Sequence, residues 1–305
     1  MRKNILISIF LLLFIFNIDI VMNSVKDASF LFFNKIFIST FPFMLLSDIL
    51  FYFDYHIFLR DSFIGKFISK LFNIDRNSSS IIIFSLLSSQ PNNSIYIKNM
   101  LDNKLISIEC ANKILCFTYF PSISFVIGTI GIFMFNSFKI GLFLYLNCIL
   151  NNIFIGLYLR NIYVASSDNI SNKNNISFLN FLKSSINKSI NNLYIILGNI
   201  IIFTIIINLV SNLFNLNVLS TGIISVFLEL TNGINNIILL DSSLILKLGF
   251  ISFALNFSGL SILFQSFSIL SDYKINIKKI LVIKLIFSII SSFLFMLILP
   301  ILLQN

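Results

Sequence analysis

The sequence predicts an all-α polytopic membrane protein, with about seven spans plus two re-entrant hairpins arranged as an inverted repeat. Of the 305 residues, 57% are hydrophobic and only 11% are charged, whereas a soluble domain carries about 25% charged residues. Long apolar runs recur from residue 4 to residue 303, and the basic residues are concentrated between alternate runs. This composition excludes secreted enzymes, nucleic-acid-binding domains and disordered chains. In a membrane protein, the excess of positive charge indicates which loops face the cytoplasm.

Runs of about 20 apolar residues are long enough to cross a bilayer as helices. Seven spans are predicted, at residues 4–22, 29–53, 114–135, 140–159, 191–212, 248–270 and 281–303. The first follows Arg2 and Lys3, and no small-residue cleavage site comes after it. It is therefore predicted to be a retained signal-anchor helix rather than a cleaved signal peptide.

Two further apolar segments are irregular. Residues 80–90 are too short to span and end at Pro91, and residues 219–240 contain Glu229, the only acid predicted at membrane depth. An acid at the bilayer centre costs about 2.5–3.5 kcal/mol on insertion scales. Irregular backbone is tolerated at that depth where it lines a cavity. Both segments are therefore predicted to be re-entrant hairpins or broken helices.

Charge supports this layout. With a cytoplasmic N-terminus, 16 of the 21 Lys and Arg residues fall in cytoplasmic pieces, and three fall in external connections. The cytoplasmic pieces are 1–3, 54–79, 91–113, 160–190 and 271–280. Lys35 and Lys284 lie inside spans and are expected to snorkel toward the ends. The asymmetry obeys the positive-inside rule and predicts an integral membrane protein. The abundance of Phe, Ile, Asn, Lys and Ser, with little Ala and Gly, is typical of an AT-rich bacterial genome, so the membrane is predicted to be bacterial.

The order of these segments repeats with opposite orientation. The first unit consists of span 29–53, hairpin 80–100 and spans 114–135 and 140–159. The second unit consists of span 191–212, hairpin 219–240 and the last two spans. The predicted organisation is a signal-anchor helix at 1–25, a first repeat at 26–164, a polar linker at 165–190 and a second repeat at 191–305. In transporters, such inverted repeats place the substrate site near the membrane midplane.

No catalytic constellation is present, so neither an enzyme activity nor a cofactor is predicted. His56, the single histidine, is placed in a loop, and Cys110, Cys116 and Cys148 show no paired spacing. These residues assemble no zinc site. The three cysteines are predicted to be buried free thiols.

Polar residues inside apolar segments form four candidate clusters, around residues 88–93, 118–131, 229–233 and 256–265. Each has a structural alternative: a turn, a Pro-kinked packing helix, a hydrogen-bonded structural acid and interhelical hydrogen bonding, respectively. Glu229 is the predicted ion-coupling residue, since intramembrane acids are functional by default. The predicted substrate-binding residues are Gln90, Pro91, Asn92, Thr118, Ser122, Ser124, Thr231, Asn232, Ser258, Gly259 and Gln265.

These clusters, in this order, resemble the sporulation integral membrane protein YlbJ family, which contains the nucleoside-recognition or Gate domain. The resemblance runs from about residue 26 to 300. It rests on FISTFPFMLLSDIL (37–50), SLLSSQPNNS (85–94), CFTYFPSISFVIGTIG (116–131), GIISVFLELTNGI (222–234) and FALNFSGLSILFQSFSIL (253–270). The chain departs from the family in the first hairpin, where Ser89 and Asn93 replace glycines and Ile95 stands at the position of a lysine.

The resemblance implies a sporulation-associated transporter that moves a small anionic metabolite, such as dipicolinate, across the outer forespore membrane. Its fold is similar to the core of concentrative nucleoside transporters. The departures leave open a non-transporting structural or assembly protein of sporulation, and a nucleoside-type transporter is a further alternative. The expected partners are the lipid bilayer and a small anionic ligand, with no nucleic acid; a homo-oligomer or other sporulation membrane proteins stay open as partners.

Overall fold

The structure, a computed structural model, describes residues 12–162 and 177–303, and contains no strand within these ranges. Four helical segments are long and apolar enough to cross a bilayer: Phe138–Tyr158, Phe178–Leu213, Leu244–Ile269 and Ile277–Ile301. The bent pair Thr40–Tyr52 and Tyr55–Asp61 would make a fifth. The predicted class of helical membrane protein is confirmed.

The chain up to residue 162 contains α1 (Ile18–Leu31), a π-helical stretch (Phe32–Ile36), α2 (Phe37–Tyr52), α3 (Tyr55–Asp61), α4 (Phe63–Phe72), α5 (Arg76–Ser88), α6 (Asn92–Asp102), α7 (Ile108–Leu115), a π-helix (Ser124–Met134) and α8 (Phe138–Tyr158). The chain from residue 177 contains α9 (Phe178–Leu213), α10 (Val218–Leu228), α11 (Leu230–Ile238), α12 (Leu244–Phe257), α13 (Gly259–Ile269) and α14 (Ile277–Leu303).

Two long helical rods run antiparallel along each other. One is α9, and the other is the helical stretch from α1 through the first π-helical stretch to α2. Phe181 packs on Tyr52 with ring centroids 4.4 Å apart. Farther along α9, Asn208 donates a hydrogen bond to Ser24 at 2.8 Å. Residues near the start of α9 contact the end of the other rod, and residues near the end of α9 contact its start. The two rods therefore pack side by side over nearly their whole lengths.

This pairing corrects two predicted boundaries. The external connection expected between spans 4–22 and 29–53 is helical, because α1 continues into α2 without a turn; residues 1–11 lie outside the described part. The polar linker predicted at 165–190 ends early. Residues 163–176 lie outside the described part, whereas α9 already begins at Phe178. Its first turns are held by Ser185, which donates to buried Asp48 at 2.6 Å.

Two predicted spans are interrupted. In place of a continuous helix over 114–135, α7 ends at Leu115 and the second π-helix begins only at Ser124. Pro121 lies between them, and it has no backbone N–H for a helical hydrogen bond. The span predicted at 248–270 is divided at Ser258, whose φ of 76° is incompatible with a continuous right-handed helix.

The two irregular segments are hairpins of short helices. In the first, α5 and α6 return to the same end of the molecule, where Asn77 donates to the carbonyl of Leu105 at 3.0 Å. In the second, α10 and α11 pack so closely that a Cβ on Gly233 would lie 2.6 Å from the Cα of Val226. The second hairpin has its outer ends at the opposite end of the molecule, since α10 follows the C-terminus of α9.

Basic segments from distant parts of the chain meet at one end of the molecule, called here the basic end. The Nζ of Lys113 donates to the carbonyls of Asn73, Arg160 and Ile162, at 2.8, 3.4 and 2.9 Å. Lys98 pairs with Asp272 at 2.7 Å. The predicted loop 54–79 contains α3 and α4 at this end, so His56 is a buried helical residue stacked on a phenylalanine. The three cysteines are buried free thiols, as predicted.

Gly131 allows the second π-helix to lie directly on α8. A Cβ on Gly131 would be 2.6 Å from the Cα of Gly141, whereas one on Gly128 would meet nothing within 4 Å. Gly131→Ala is therefore expected to lower the free energy of unfolding by about 1–3 kcal/mol, the usual cost of overpacking. Gly128→Ala is the matched control and is expected to be neutral or slightly stabilising. Equal losses in thermal unfolding of the detergent-solubilised protein would contradict the close approach.

Candidate functional site: a polar pocket where helix breaks meet

The interruptions of the helices converge on one pocket of about 320 Å³. Each half of the chain contributes an interrupted hairpin and an interrupted apolar helix. The lining residues are Leu31, Asn34, Ile36, Thr40, Ser89, Gln90, Pro91, Pro121, Ser122, Ser124, Phe125, Thr129, Ile196, Ile200, Glu229, Leu230, Thr231, Ile262 and Gln265. Ile196 and Ile200 stand near the middle of α9, which is 36 residues long. The pocket therefore lies near mid-length of a helix that crosses the bilayer.

In the first half of the chain, backbone and side-chain hydrogen bonds join the two breaks. The N–H of Gln90, between α5 and α6, donates to the carbonyl of Phe120 at 2.9 Å. The amide of Asn93 donates to the hydroxyl of Thr118 at 3.2 Å. Asn152 on α8 donates to the carbonyl of Tyr119 at 2.9 Å. The bonds to the carbonyls of Phe120 and Tyr119 satisfy backbone groups that lack helical partners, which a bilayer interior demands.

In the second half, the two breaks pack directly on each other. Glu229 has extended backbone between α10 and α11, and its carboxylate caps α11 by accepting from the N–H of Asn232 at 2.7 Å. Gly259 has a φ of 70°, and a Cβ there would lie 3.1 Å from the backbone N of Leu230. Only glycine combines this conformation with so close an approach at low cost.

The pocket wall combines one acid with amides and hydroxyls. Glu229 is 2% exposed and is the one charged side chain among the described residues of the lining. Gln90 is 9% exposed, and neither its amide nitrogen nor its amide oxygen hydrogen-bonds to a described residue. Ser122, Ser124 and Thr231 add hydroxyls. Because buried polar groups need partners, this wall is suited to a ligand that both donates and accepts hydrogen bonds.

The structure brings most of the predicted site residues together. Gln90, Pro91, Ser122, Ser124, Glu229, Thr231 and Gln265 line the pocket. The other five are not part of its lining: Asn92, Thr118, Asn232, Ser258 and Gly259. Asn92, Thr118 and Asn232 form hydrogen bonds at the breaks, and Gly259 packs closely on the backbone at Leu230. The buried hydroxyl of Ser258 has no hydrogen-bond partner among the described residues. Ser258 does not share a helix face with Ser261 and Gln265 as expected, because the helix is interrupted at Ser258.

Sequence reasoning missed Asn34, Thr40 and Thr129 in the pocket lining. Each is a single polar residue within an apolar helix, and that pattern is their only signal. Glu229 is also not the only deeply buried acid. Asp48, inside the predicted span 29–53, is 6% exposed and accepts hydrogen bonds from Ser185 and Asn99 at the basic end of the rods.

Lys284 is fully buried rather than snorkelling as predicted; the side chain of Lys35 lies outside the described part of the structure. The Nζ of Lys284 lies 4.4 Å from the ring centroid of Tyr119 and has no hydrogen-bond acceptor among the described residues. A cation–π contact stabilises a desolvated ammonium by about 2 kcal/mol or more, while burying the ion costs several kcal/mol. Lys284 thus places an amine whose charged form is costly to bury behind the break that contains Pro121.

Comparisons with known proteins identify no relative. No protein-family model matches the sequence, and no curated protein or solved structure is significantly similar to it. Among the described residues, no group of three or more His, Cys, Asp and Glu side chains is placed to hold a metal ion.

Replacing Lys284 by an apolar residue of similar length tests the cost of its burial. Lys284→Met is expected to raise the free energy of unfolding by about 1–4 kcal/mol, since apolar replacements of buried charges are often stabilising. Lys279→Met removes the same group from an exposed position on α14 and is expected to change stability by less than about 0.5 kcal/mol. If Lys284→Met instead lowers the unfolding temperature in detergent, the lysine has a stabilising partner and the cost argument is wrong.

Proposed function

We propose that the protein is a membrane transporter that binds a small polar solute in the central pocket and couples its movement to protonation of Glu229. The observation that carries this proposal is the convergence of interrupted helices on a polar cavity at mid-length of a crossing helix. Broken helices lining a midplane site are typical of secondary transporters. A bundle with a purely structural role has no need of such costly breaks.

The order of elements supports an inverted repeat. From α2, the first half continues with the hairpin α5–α6, the interrupted helix from α7 to Met134 and the long helix α8. From α9, the second half continues with the hairpin α10–α11, the interrupted helix α12–α13 and the long helix α14. The outer ends of the two hairpins lie at opposite ends of the molecule, as an inversion requires. The two predicted re-entrant hairpins remain part of this proposal. The predicted count of seven spans does not, because α1 continues into α2 without the turn that would separate spans 4–22 and 29–53.

The basic end is proposed to face the cytoplasm of a bacterial cell, since the positive-inside rule concentrates Lys and Arg there. Arg60, Lys98, Lys113 and Arg160 all lie on segments that meet at this end. The pocket, near mid-length of α9, then lies near the bilayer midplane. This position fits a site that is exposed alternately to the two sides.

The pocket wall favours a neutral, hydrogen-bonding solute of the nucleoside type. An ionised Glu229 repels an anion, whereas Gln90 and the hydroxyls match a neutral polar ligand. The resemblance points instead to an anionic metabolite such as dipicolinate, which this pocket would admit only with Glu229 protonated. One structural detail supports the resemblance: Ser89, where the family has glycine, has a φ of 67°, a region that favours glycine.

Uptake into proteoliposomes under a pH gradient tests the transport proposal. Saturable uptake of uridine is expected, and dipicolinate is the anionic comparison. Glu229→Gln keeps the shape of the side chain but cannot release a proton, so gradient-driven accumulation is expected to disappear while exchange without a gradient persists. The matched control is Glu109→Gln, since Glu109 is the other glutamate and is exposed on α7. Unchanged accumulation in Glu229→Gln would remove the coupling role.

Gln90 tests the binding site separately. Gln90→Leu removes both amide atoms from the pocket, so a bound polar solute loses its partners there. Such a loss costs about 1.5–3 kcal/mol, which corresponds to about a tenfold to hundredfold higher KM for uptake. If neither solute shows saturable flux in the unaltered protein, the non-transporting alternative, a structural or assembly protein of sporulation, takes the place of the transporter.

A further inference from the structure

The chain turns sharply where α2 reaches the basic end. The helix from Thr40 to Tyr52 and the helix from Tyr55 to Asp61 meet at an angle of 76°. Because α2 packs antiparallel along α9, and α9 crosses the bilayer, α2 is close to the bilayer normal. The bend therefore lays α3 close to the plane of the membrane surface.

The next helix, α4, is fixed tightly to α3. The N–H of Gly65 donates to the hydroxyl of Ser62 at 3.0 Å, and that hydroxyl donates to the carbonyl of Leu59 at 2.7 Å. A Cβ on Gly65 would lie 2.1 Å from the same carbonyl oxygen. The elbow between α3 and α4 is thus a rigid, capped junction rather than a free loop.

Three separate sectors run along α4. Gly65 and Phe72 are buried against the protein. Phe63, Ile64 and Phe67 are 85%, 59% and 58% exposed, and at about 3.6 residues per turn they share one face. Lys66 and Lys70 are exposed along the edge of that face. This is the pattern of a helix that lies in a membrane interface, with its apolar face in the acyl region and lysines at headgroup level.

Two aromatic residues of the adjoining helix α3 are exposed as well. Tyr55 and Phe58 are 41% and 63% exposed, and their ring centroids are 5.2 Å apart. Together with Phe63, Ile64 and Phe67 they form what we call the amphipathic platform. Large apolar side chains exposed together usually mark a site of contact with a membrane or with another protein.

The charges beside the platform indicate what covers it. Arg60 is paired with Asp61 through two hydrogen bonds of 2.9 and 2.7 Å, so the basic residue of α3 is already neutralised. Lys66 and Lys70 form no ion pair with any described residue. Two unpaired lysines along an apolar face complement an anionic lipid surface, where the phosphates of headgroups lie just above the acyl chains.

We propose that the amphipathic platform docks on the inner leaflet and that Lys66 and Lys70 bind the headgroups of anionic phospholipids. Both α3 and α4 pack on α5, the first helix of the hairpin that ends at the pocket. Docking would therefore hold the outer end of that hairpin at the membrane surface. This docking rests on the proposed cytoplasmic orientation of the basic end, and it does not depend on the pocket or its solute.

Fluorescence gives a direct test, because the chain contains no tryptophan. Phe67→Trp introduces the single indole in the full-length protein, reconstituted in phosphatidylcholine nanodiscs with or without phosphatidylglycerol. Brominated acyl chains are expected to quench this indole and aqueous iodide to leave it largely unquenched. Phe293→Trp, 59% exposed on the crossing helix α14, is the lipid-facing reference. Phe63→Trp repeats the measurement in case the first variant fails to fold.

Competition between brominated phosphatidylglycerol and brominated phosphatidylcholine measures the charge preference at the platform. Each lysine near the surface is expected to favour the anionic lipid by about fivefold. In the Phe67→Trp background, Lys66→Gln with Lys70→Gln is expected to bring this preference close to one. Lys278→Gln with Lys279→Gln, at the same end on α14, should leave it unchanged.

Two results would overturn the proposal. Quenching by iodide but not by brominated lipid would place the platform in water, available to a protein partner instead. The second result is quenching by lipid either without any preference for phosphatidylglycerol or with a preference that survives removal of both lysines. Either outcome would show that the platform contacts the membrane only through its apolar side chains and that the lysines bind no headgroups. No solute is needed for either readout, so the outcome is independent of whether the protein transports.

Discussion

The need to satisfy every backbone hydrogen-bonding group inside a bilayer is the constraint on which this structure depends. Intact helices meet it by themselves, but this chain interrupts its helices at Gln90, Pro121, Glu229 and Ser258. The interruptions are stable because they hydrogen-bond to one another or pack on one another. The N–H of Gln90 bonds to the carbonyl of Phe120, and Gly259 packs on the backbone at Leu230. Gathering the breaks in one place creates the polar pocket as a direct consequence.

The two antiparallel rods determine how deep in the membrane the helix breaks lie. They pack along each other from Tyr52 to Asn17, so residues near the middle of each rod meet at mid-length. Thr40 from one rod and Ile200 from the other therefore contribute to the same wall of the pocket. At the basic end, the Nζ of Lys113 donates to three carbonyls from two separate segments, one at Asn73 and the other at Arg160 and Ile162.

Much of the candidate site was predictable because burying a polar residue in a membrane segment costs free energy. Polar residues are therefore rare in apolar segments and are easily recognised in the sequence. Gln90, Ser122, Glu229 and Gln265 were found in this way, and all four line the pocket. Lys284 was misjudged for a related reason: hydropathy shows that a lysine is near a helix end but not which way the side chain points. Its burial over Tyr119 follows from packing between α14 and the interrupted segment.

The sequence alone determined the membrane class, the positions of the breaks near Pro91 and Glu229, and the gathering of basic residues on one side. These follow from local properties: the length of apolar runs, the missing N–H of proline and the cost of charge in lipid. Only the tertiary structure decided that residues 23–28 continue a rod, that α9 begins at Phe178 and that the helix breaks share one cavity. Each of these depends on contacts between residues far apart in the chain, and hydropathy carries no information about such contacts.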